Sequence, residues 1–517
     1  MGMDRVGGQR MNPMAPVSWL SVMALACIFA GPVGAGGVGY VESSTGLDDP
    51  ELDGGYTEVE MADVDRDGNI DLVSVGDHGN PFINTNQHGV IVWFGDGKGA
   101  WSPFQFGDFG YGGIAVGDVN NDGHADVGYG IHHDYADGDL GDQILEVALG
   151  DGTGQAWTAW DDGLATSGET YGMFGSDFAD VDGDGDLDLG SISFGCCQGV
   201  HVYLNGGDGT WQQSFGFLGG NARQEFTFGD VNGDGWPDLA VSHQAGTVYV
   251  GDGKGGFTLS DANLPVGGTF GRVGVALGDV NADGRDDLAW AKSGGVAVWI
   301  RNANGTWTDF GAGLPTSGGW SATQLWDMDG DGVLDVAAFG NGLGAVWKGN
   351  GAGSWTLLGG FNTPSPGTYA AFRVGGDADH NGRPDIVVVD DEATGPFNSQ
   401  NQIHFYRETS TPSVLDVRSV RPGPSATLRA GSVRFVEWAS AVPAGLPPGH
   451  VSLAYSLNGP AGPWMLIAAN LPDNGRYQWT VPDARPTDNL RLRIQLVSGT
   501  KRARVISPRL TLAPGHP

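Results

Sequence analysis

The sequence predicts an all-β protein, a seven-bladed β-propeller followed by a small β-sandwich. Glycine makes up 91 of the 517 residues, far above the usual share of about 7%, which indicates many tight turns between short strands. One acidic pattern recurs seven times at spacings of 48 to 62 residues, the length of a propeller blade. With 17 tryptophans and 22 phenylalanines, the chain has enough large apolar side chains to fill the cores between blades.

Residues 1–35 are predicted to be a signal peptide. Arg5 and Arg10 precede an apolar stretch at 17–30, and small residues at 33–35 provide a cleavage site. The apolar stretch is too short for a membrane span, so we expect an exported protein that is secreted, extracellular or held at the cell surface. Lipid attachment at Cys27 is the alternative.

Residues 36–408 are predicted to form the propeller, with four antiparallel strands in each repeat. In the fourth repeat, one apolar strand at 226–228 precedes the acidic loop and another at 239–241 follows it. A third strand, with alternating apolar and polar residues, is predicted at 247–250. A glycine-rich hairpin then leads into a strand that begins with an aromatic residue. We expect these aromatic residues to pack between blades. They are Trp101, Trp157, Trp211, Phe257, Trp307 and Trp355.

The seventh repeat supplies only three strands, whereas residues 39–43 form a strand pattern that belongs to no repeat. We predict that Tyr40 and Val41 pair with the strand at 402–407 as the outermost strand of the last blade. This pairing would close the ring and leave no unpaired sheet edge.

Each acidic loop carries an oxygen-bearing side chain at positions 1, 3, 5 and 9, with glycine at position 6. Ca²⁺ prefers such hard oxygen ligands, and a backbone carbonyl at position 7 would add another. Up to seven Ca²⁺ ions are therefore predicted. An EF-hand is excluded because position 12 is never acidic. The alternative of seven metal-free turns is disfavoured because carboxylates crowd each loop and we expect no basic partners there.

The predicted metal ligands, loop by loop and with the position-7 residue contributing its carbonyl, are Asp63, Asp65, Asp67, Asn69 and Asp71; Asp118, Asn120, Asp122, His124 and Asp126; Asp180, Asp182, Asp184, Asp186 and Asp188; Asp230, Asn232, Asp234, Trp236 and Asp238; Asp279, Asn281, Asp283, Arg285 and Asp287; Asp327, Asp329, Asp331, Val333 and Asp335; and Asp377, Asp379, Asn381, Arg383 and Asp385.

The repeat FGDVNGDGWPDLAV…GTVYVGDGKGGF resembles the FG-GAP repeat, also called the VCBS repeat, of integrin α-subunit propellers and many secreted bacterial proteins. The resemblance covers about residues 36–408. It implies that calcium lies in the hairpin between the first two strands of a blade and that ligands bind on the opposite face. The family includes adhesins, lectins and lyases, so the resemblance does not select one function.

Charge separates the C-terminal part from the rest of the chain. Residues 1–410 carry a net charge of −42 and residues 411–517 carry +7, and the acidic part has no basic surface for nucleic acid, which is excluded as a partner. Residues 409–412 are predicted as a linker and 413–517 as the β-sandwich, whose run GRYQWTVPD resembles immunoglobulin-like or fibronectin-III-like modules. We expect its arginines to be solvated, with docking onto the acidic propeller as the alternative.

Connections between the second and third strands are long in three blades, at 76–89, 131–143 and 390–402. Because the seventh, first, second and third blades are neighbours in a closed ring, we expect one binding surface there, opposite the metal loops. Its candidate ligand-binding residues are His78, His88, His132, His133, Asp134, Tyr135, Asp137, Asp139 and Asp142. In the third blade, Cys196 and Cys197 are either two reduced thiols or a vicinal disulfide.

The function predicted from these features is a monomeric binding or adhesion module for a glycan or an extracellular protein, without a transmembrane segment. No catalytic residue is predicted, since the sequence contains no nucleophile elbow, HExxH motif or P-loop. One alternative is a carbohydrate-active enzyme, similar to polysaccharide lyases, that uses the long connections. The other is a purely structural extracellular scaffold.

Overall fold

The computed structural model describes residues 37–48, 52–53, 58–76, 89–107, 109, 112–131, 140–165, 173–193, 199–218, 222–243, 246–265, 270–292, 294–363, 371–391 and 400–516. The regular elements in these ranges are all β-strands, which confirms the all-β fold class. In the same ranges, no helix has the length and apolar character needed to cross a membrane. The predicted signal peptide lies outside the described residues.

Among the described residues, the strands up to residue 408 form seven units of four antiparallel strands in a propeller-like arrangement, and each unit is called a blade here. The fifth and sixth units join into one eight-stranded sheet through a parallel pairing of Val273 with Ala322, and residues 52–53 add a short fifth strand to the last unit. Two strands precede the first blade, β1 (Tyr40–Glu42) and β2 (Leu52–Asp53). Blades 1 to 3 contain β3 (Val59–Ala62), β4 (Asp71–Val75), β5 (Val90–Gly95), β6 (Trp101–Phe106); β7 (Ile114–Gly117), β8 (Asp126–Gly130), β9 (Leu145–Gly150), β10 (Trp157–Ala159); and β11 (Met173–Ala179), β12 (Asp188–Ser193), β13 (Gly199–Asn205), β14 (Trp211–Leu218).

Blades 4 to 6 contain β15 (Ala222–Gly229), β16 (Asp238–His243), β17 (Val248–Gly251), β18 (Phe257–Leu259); β19 (Phe270–Gly278), β20 (Asp287–Lys292), β21 (Gly295–Arg301), β22 (Trp307–Asp309); and β23 (Ala322–Trp326), β24 (Asp335–Gly340), β25 (Leu343–Gly349), β26 (Trp355–Asn362). Blade 7 contains β27 (Ala371–Val374), β28 (Ile386–Asp391) and β29 (Gln400–Glu408), and its fourth strand is β1.

The second strand of a blade lies deep in the core, whereas the outermost strand is partly exposed. All residues of β4, β8, β12, β16 and β24 are buried, as expected for strands covered by neighbouring blades on both faces. In β10, Trp157 is buried and Thr158 is exposed. The sequence pattern of apolar inner strands and alternating outer strands follows from this difference.

The aromatic residue that begins each outermost strand joins its blade to the preceding one. Trp211 Nε1 donates a hydrogen bond to the Trp160 carbonyl at 2.7 Å, and Trp355 Nε1 donates to the Phe310 carbonyl at 2.7 Å. All five tryptophans at this position are buried, so their predicted packing between blades is confirmed. Phe257 is only half-buried but contacts the same kind of core.

The predicted closure of the ring is confirmed. Strand β1 pairs antiparallel with β29, with Tyr40 opposite Glu408 and Val41 opposite Arg407. The chain then continues into blade 1, where Trp101 Nε1 donates to the Ser43 carbonyl at 2.9 Å. The N-terminal strand therefore completes blade 7 and joins it to blade 1 by the same kind of tryptophan hydrogen bond that is found in blades 3, 5 and 6.

A buried ionic network links the first strands of blades on opposite sides of the ring. Arg373 contacts Glu58 and also lies 2.6 Å from Glu60 and 3.3 Å from Glu225. Glu58 is fully buried, and its Oε2 accepts hydrogen bonds from the backbone amides of Ile114 and Ser176. Side chains or amides from blades 1, 2, 3, 4 and 7 thus meet in one network.

The C-terminal region (residues 413–516) contains β30 (Asp416–Arg421), β31 (Thr427–Arg429), β32 (Val433–Ala441), β33 (His450–Ser456), β34 (Met465–Pro472), β35 (Arg476–Thr480), β36 (Thr487–Ser498), β37 (Lys501–Ile506) and β38 (Leu510–Ala513). These strands form a three-stranded sheet and a six-stranded sheet. Trp438 and Trp479 from the first sheet and Leu453 and Ile494 from the second share one core.

Candidate metal centres

Each acidic loop connects the first and second strands of its blade and makes the same turn. The glycine at position 6 has a φ between +86° and +101° in all seven loops, a region that residues with a Cβ rarely adopt. Its amide donates to the aspartate at position 1, as Gly68 does to Asp63 at 3.1 Å and Gly235 does to Asp230 at 2.8 Å. The repeated glycine is therefore required for the turn that orients the first carboxylate.

The aspartate at position 9 fixes the loop to the third strand of the blade. In the first loop, Asp71 Oδ2 accepts from the Val64 amide at 2.9 Å and Asp71 Oδ1 accepts from the Gly95 amide at 3.0 Å. The other six loops repeat both hydrogen bonds. Position 9 thus has a structural role in addition to its predicted role as a ligand.

Carboxylates at positions 1, 3 and 9 converge in the loops where all three are aspartates. One oxygen atom from each of Asp63, Asp65 and Asp71 lies within 4.8 Å of the others, and loops three, six and seven show the same arrangement. In loops two, four and five, position 3 is Asn120, Asn232 or Asn281. The side-chain oxygen of each asparagine accepts a hydrogen bond from the backbone amide at position 5.

A separate observation indicates that calcium fits the first loop. Asp63 Oδ1 is buried and has no hydrogen-bond partner among the described residues. A buried carboxylate oxygen without a partner is costly, and a hard divalent cation would satisfy it. The side-chain oxygens of this loop are therefore compatible with calcium.

Burial raises the pKa of the clustered carboxyl groups when no cation is bound. The pKa of Asp71 rises to about 8, and that of Asp63 to about 6. Desolvation is the main cause in both cases, and neighbouring carboxylates add to it. Hydrogen bonds oppose the rise in pKa, mainly from the Asn474 side chain at Asp63 and from the Gly95 and Val64 amides at Asp71. The pKa values of Asp238, Asp287 and Asp335 also rise to about 8 for the same main reason.

Positions 5 and 7 contact each other in every loop. The amide of the residue at position 7 donates to the side chain at position 5, as Asn69 does to Asp67 at 2.7 Å and Trp236 does to Asp234 at 2.8 Å. His124, Asp186, Arg285, Val333 and Arg383 make the same contact. The role of the position-7 carbonyl as a ligand remains a prediction.

The expectation that the loops have no basic partners is wrong for loops five, six and seven. In loop five, Arg285 at position 7 contacts Asp283 at position 5. Lys348 Nζ contacts Asp329 and lies 2.6 Å from Asp331 Oδ2. Arg407 Nη1 lies 3.0 Å from Asp379 Oδ2. Lys348 and Arg407 come from the third strand of the same blade, so their separation in the sequence hides their contact with the loop.

The C-terminal region contacts the position-1 aspartates of the first three loops. Asn474 Nδ2 donates to Asp63 Oδ2 at 3.1 Å. Gln478 accepts from the amide of Asp118 at 3.1 Å and donates to its carbonyl at 2.7 Å. The Val433 amide donates to Asp180 Oδ2 at 2.7 Å, and the Val433 side chain is buried in a core that includes Val64, Val119 and Leu187 of the propeller.

The remaining four loops also contact the C-terminal region. Arg434 donates to the Gly235 carbonyl in loop four, and Arg418 lies 3.6 Å from Asp327 in loop six and donates to Gly382 in loop seven. In loop five, a Cβ on Gly284 would lie 2.8 Å from the Ser425 carbonyl. The expectation of solvated arginines is therefore wrong for Arg418 and Arg434, which dock onto the acidic loops as the alternative predicted.

A cavity of about 440 Å³ lies where the C-terminal region meets blades 3 to 6. Phe178, Phe228 and Leu277 line it from the propeller, and Phe435 and Pro422 line it from the C-terminal region. The propeller and the C-terminal region are therefore in direct contact at the acidic loops but are separated by this cavity beside blades 3 to 6.

Of the candidate ligand-binding residues on the opposite face, only Asp142 is described, and it is exposed. Its loop is held by a residue that the sequence analysis missed. Glu146 is fully buried, and it accepts hydrogen bonds from the Tyr129 hydroxyl at 2.6 Å and the Gln143 amide at 2.9 Å. An acidic residue inside the otherwise apolar strand β9 is the signal that would have found it. His78, His88, His132, His133, Asp134, Tyr135, Asp137, Asp139, Cys196 and Cys197 lie outside the described residues.

Comparisons with known proteins agree with the repeat pattern. The model of the FG-GAP-like repeat family matches residues 63–129, 192–241, 232–290, 279–338 and 327–388, which together span just over half of the chain. No match was found among the curated proteins.

Solved structures with a similar fold include an Agrocybe aegerita lectin described as recognising non-reducing terminal N-acetylglucosamine. It is 20% identical, with a TM-score of 0.42 over 60% of this chain and 81% of the lectin. A mutant of NanB sialidase from Streptococcus pneumoniae is 10% identical, with a TM-score of 0.37 over 74% of this chain and 71% of the sialidase.

Proposed function

Because this chain belongs to the FG-GAP-like repeat family, we propose that it is an exported, calcium-stabilised seven-bladed propeller that acts as a binding module for an extracellular glycan. In this proposal residues 36–408 form the propeller and residues 413–517 form a β-sandwich after the linker 409–412. The observation that carries the proposal is the contact of the C-terminal region with all seven acidic loops. In this proposal the C-terminal region covers the face of the propeller that carries the acidic loops, and a ligand binds on the opposite face.

The free face carries the longest connections of the propeller. Because strands within a blade are antiparallel, connections between the second and third strands begin at the end remote from the acidic loops. The connections between β4 and β5, between β8 and β9, and between β28 and β29 are the long ones. Their histidine, aspartate and tyrosine side chains offer the few polar groups that fix a sugar in a binding site.

The glycan proposal is tested by screening the protein on a glycan array in calcium. Replacing His132, His133 and Tyr135 together by alanine should abolish binding to any glycan found. The control is His450→Ala, an exposed residue of the C-terminal region, which should bind normally. Absence of binding to every glycan, or binding that survives the triple replacement, contradicts the proposal, and turnover of a bound polysaccharide favours the enzyme alternative.

The calcium part of the proposal is tested by thermal unfolding. Excess chelator should lower the melting temperature, because each site filled at 100 times its Kd contributes about 2.7 kcal/mol to stability. Asp184→Ala should reduce the calcium bound by one ion, whereas Asp208→Ala, at an exposed hairpin outside the loops, should leave it unchanged. Equal melting temperatures with and without chelator contradict calcium binding.

A further inference from the structure

One position near the acidic loops differs between blades in a way that bears on calcium. The last residue of the third strand donates its amide to the position-9 aspartate. In blades 6 and 7 the residue before it contacts the acidic loop of the same blade. That neighbouring residue is apolar in blades 1 to 5 and basic in blades 6 and 7. In chain order these residues are Phe94, Leu149, Leu204, Val250, Ile300, Lys348 and Arg407.

In blade 6, the Lys348 ammonium occupies the carboxylates that a metal would need. Lys348 Nζ contacts Asp329 at position 3 and lies 2.6 Å from Asp331 at position 5. The carboxylates of Asp327, Asp329 and Asp335 converge there as they do in the first loop. A calcium ion would therefore have to displace a cation that the chain itself supplies.

Blade 7 combines a basic residue with a change at position 5. Arg407 Nη1 lies 3.0 Å from Asp379 Oδ2 at position 3. Position 5 is Asn381, whose Nδ2 donates to the Glu408 carbonyl at 2.9 Å and whose Oδ1 accepts from the Arg383 amide at 2.8 Å. Both polar atoms of the Asn381 side chain are thus engaged within the blade. Asp379 Oδ1 is buried without a hydrogen-bond partner among the described residues, as Asp63 Oδ1 is in the first loop. The two loops differ because the Asp379 carboxylate already has the positive charge of Arg407 beside it, whereas no ion pair is described for Asp63.

We infer that Lys348 and Arg407 take the place of calcium in loops six and seven, because each contacts the carboxylate at position 3, and that the chain binds five calcium ions, in loops one to five. The contact of Arg285 with Asp283 in loop five joins positions 7 and 5 of the same loop and does not involve position 3. Loops six and seven keep the acidic repeat because positions 1 and 9 hold the turn and the third strand together, as described for every blade. The inference depends on the proposed binding of calcium in the other loops.

The experiment is the calcium content of the full chain after equilibrium dialysis. Wild type should hold five ions, and Lys348→Met should hold six, because methionine keeps the aliphatic stem and removes the ammonium. Arg407→Met should also hold six. The reverse replacement, Phe94→Lys in blade 1, should lower the count to four. Lys254→Met, at an exposed hairpin of blade 4, is the control and should keep five.

Thermal unfolding in excess chelator tests whether the substitutions act through the charge of the acidic loop. Lys348→Met should melt at a lower temperature than wild type in chelator, since its carboxylates lose their counter-ion, and it should gain more from added calcium. Seven ions in wild type, or unchanged counts in both Lys348→Met and Arg407→Met, overturn the inference while leaving calcium binding intact. A count of zero in wild type overturns the calcium proposal itself.

Discussion

Replacing Arg373 by methionine should destabilise the propeller strongly, and more so at high pH. Arg373 is the basic member of the central network and faces Glu58, Glu60 and Glu225. Methionine keeps a similar apolar length and removes the guanidinium, so Glu58 and Glu225 would remain buried without their counter-ion.

The expected magnitude follows from the burial of these groups. Removing one partner of a buried ion pair typically costs about 3–5 kcal/mol, because the other charge stays uncompensated. Protonation of the glutamates can relieve part of this cost. Burial already raises the pKa of Glu225 to about 7 and that of Glu58 above its ordinary value, although Arg373 lowers both. Without Arg373 these pKa values rise further, so the loss should approach the full amount at pH 8 and be smaller at pH 5.

The sign follows from proton linkage. A carboxyl group whose folded pKa exceeds its unfolded value stabilises the fold at low pH, and that stabilisation is lost as the pH rises through the folded pKa. Urea unfolding of Arg373→Met and wild type at pH 5 and pH 8, with calcium present, measures the difference. Arg509→Met is the control, because Arg509 and its partner Asp488 are both exposed. A loss no larger than that of Arg509→Met, or a loss that does not grow with pH, refutes the reasoning.

Two further predictions concern the metal loops and the closure of the ring. Calcium affinity should increase from pH 6 to pH 8, because protons on the position-9 aspartates compete with the ion. Without metal, the pKa values of Asp71 and Asp287 are about 8. Isothermal titration calorimetry at the two pH values measures the affinity, and a constant affinity contradicts the prediction. Deleting residues 37–47 should expose the edge of β29, lower the melting temperature and promote aggregation; light scattering and thermal unfolding detect both effects, and an unchanged monomer with an unchanged melting temperature contradicts the role of β1.

The local features of the repeats could be predicted because each acidic loop encodes its own geometry. Glycine at position 6 is needed for the turn, and the fixed spacing of aspartates such as Asp63, Asp65 and Asp71 brings their oxygens together. Counting strands at the two ends of the repeat array also predicted the pairing of Tyr40 and Val41 with the last strand.

Contacts between distant parts of the chain could not be read from local patterns. Arg373 meets Glu58 and Glu225 only because the ring brings their strands together. Lys348 resembles an ordinary surface lysine until its position is compared with the apolar residues at the same place in blades 1 to 5. The position of the C-terminal region depends on the shape of both surfaces and on single residues such as Gln478, which no repeat or motif distinguishes.

The pairing of β1 with β29 also determines when the propeller can finish folding during synthesis. Tyr40 and Glu408 are partners in the sheet although 368 positions separate them in the chain. The N-terminal strand emerges first and must wait, without its partner, until the last strand of the propeller has been made. Contacts at such long range form slowly, so blades 1 to 6 can assemble in order while the seventh is incomplete. Exchange of β1 between two unfinished chains is the characteristic error that this arrangement permits.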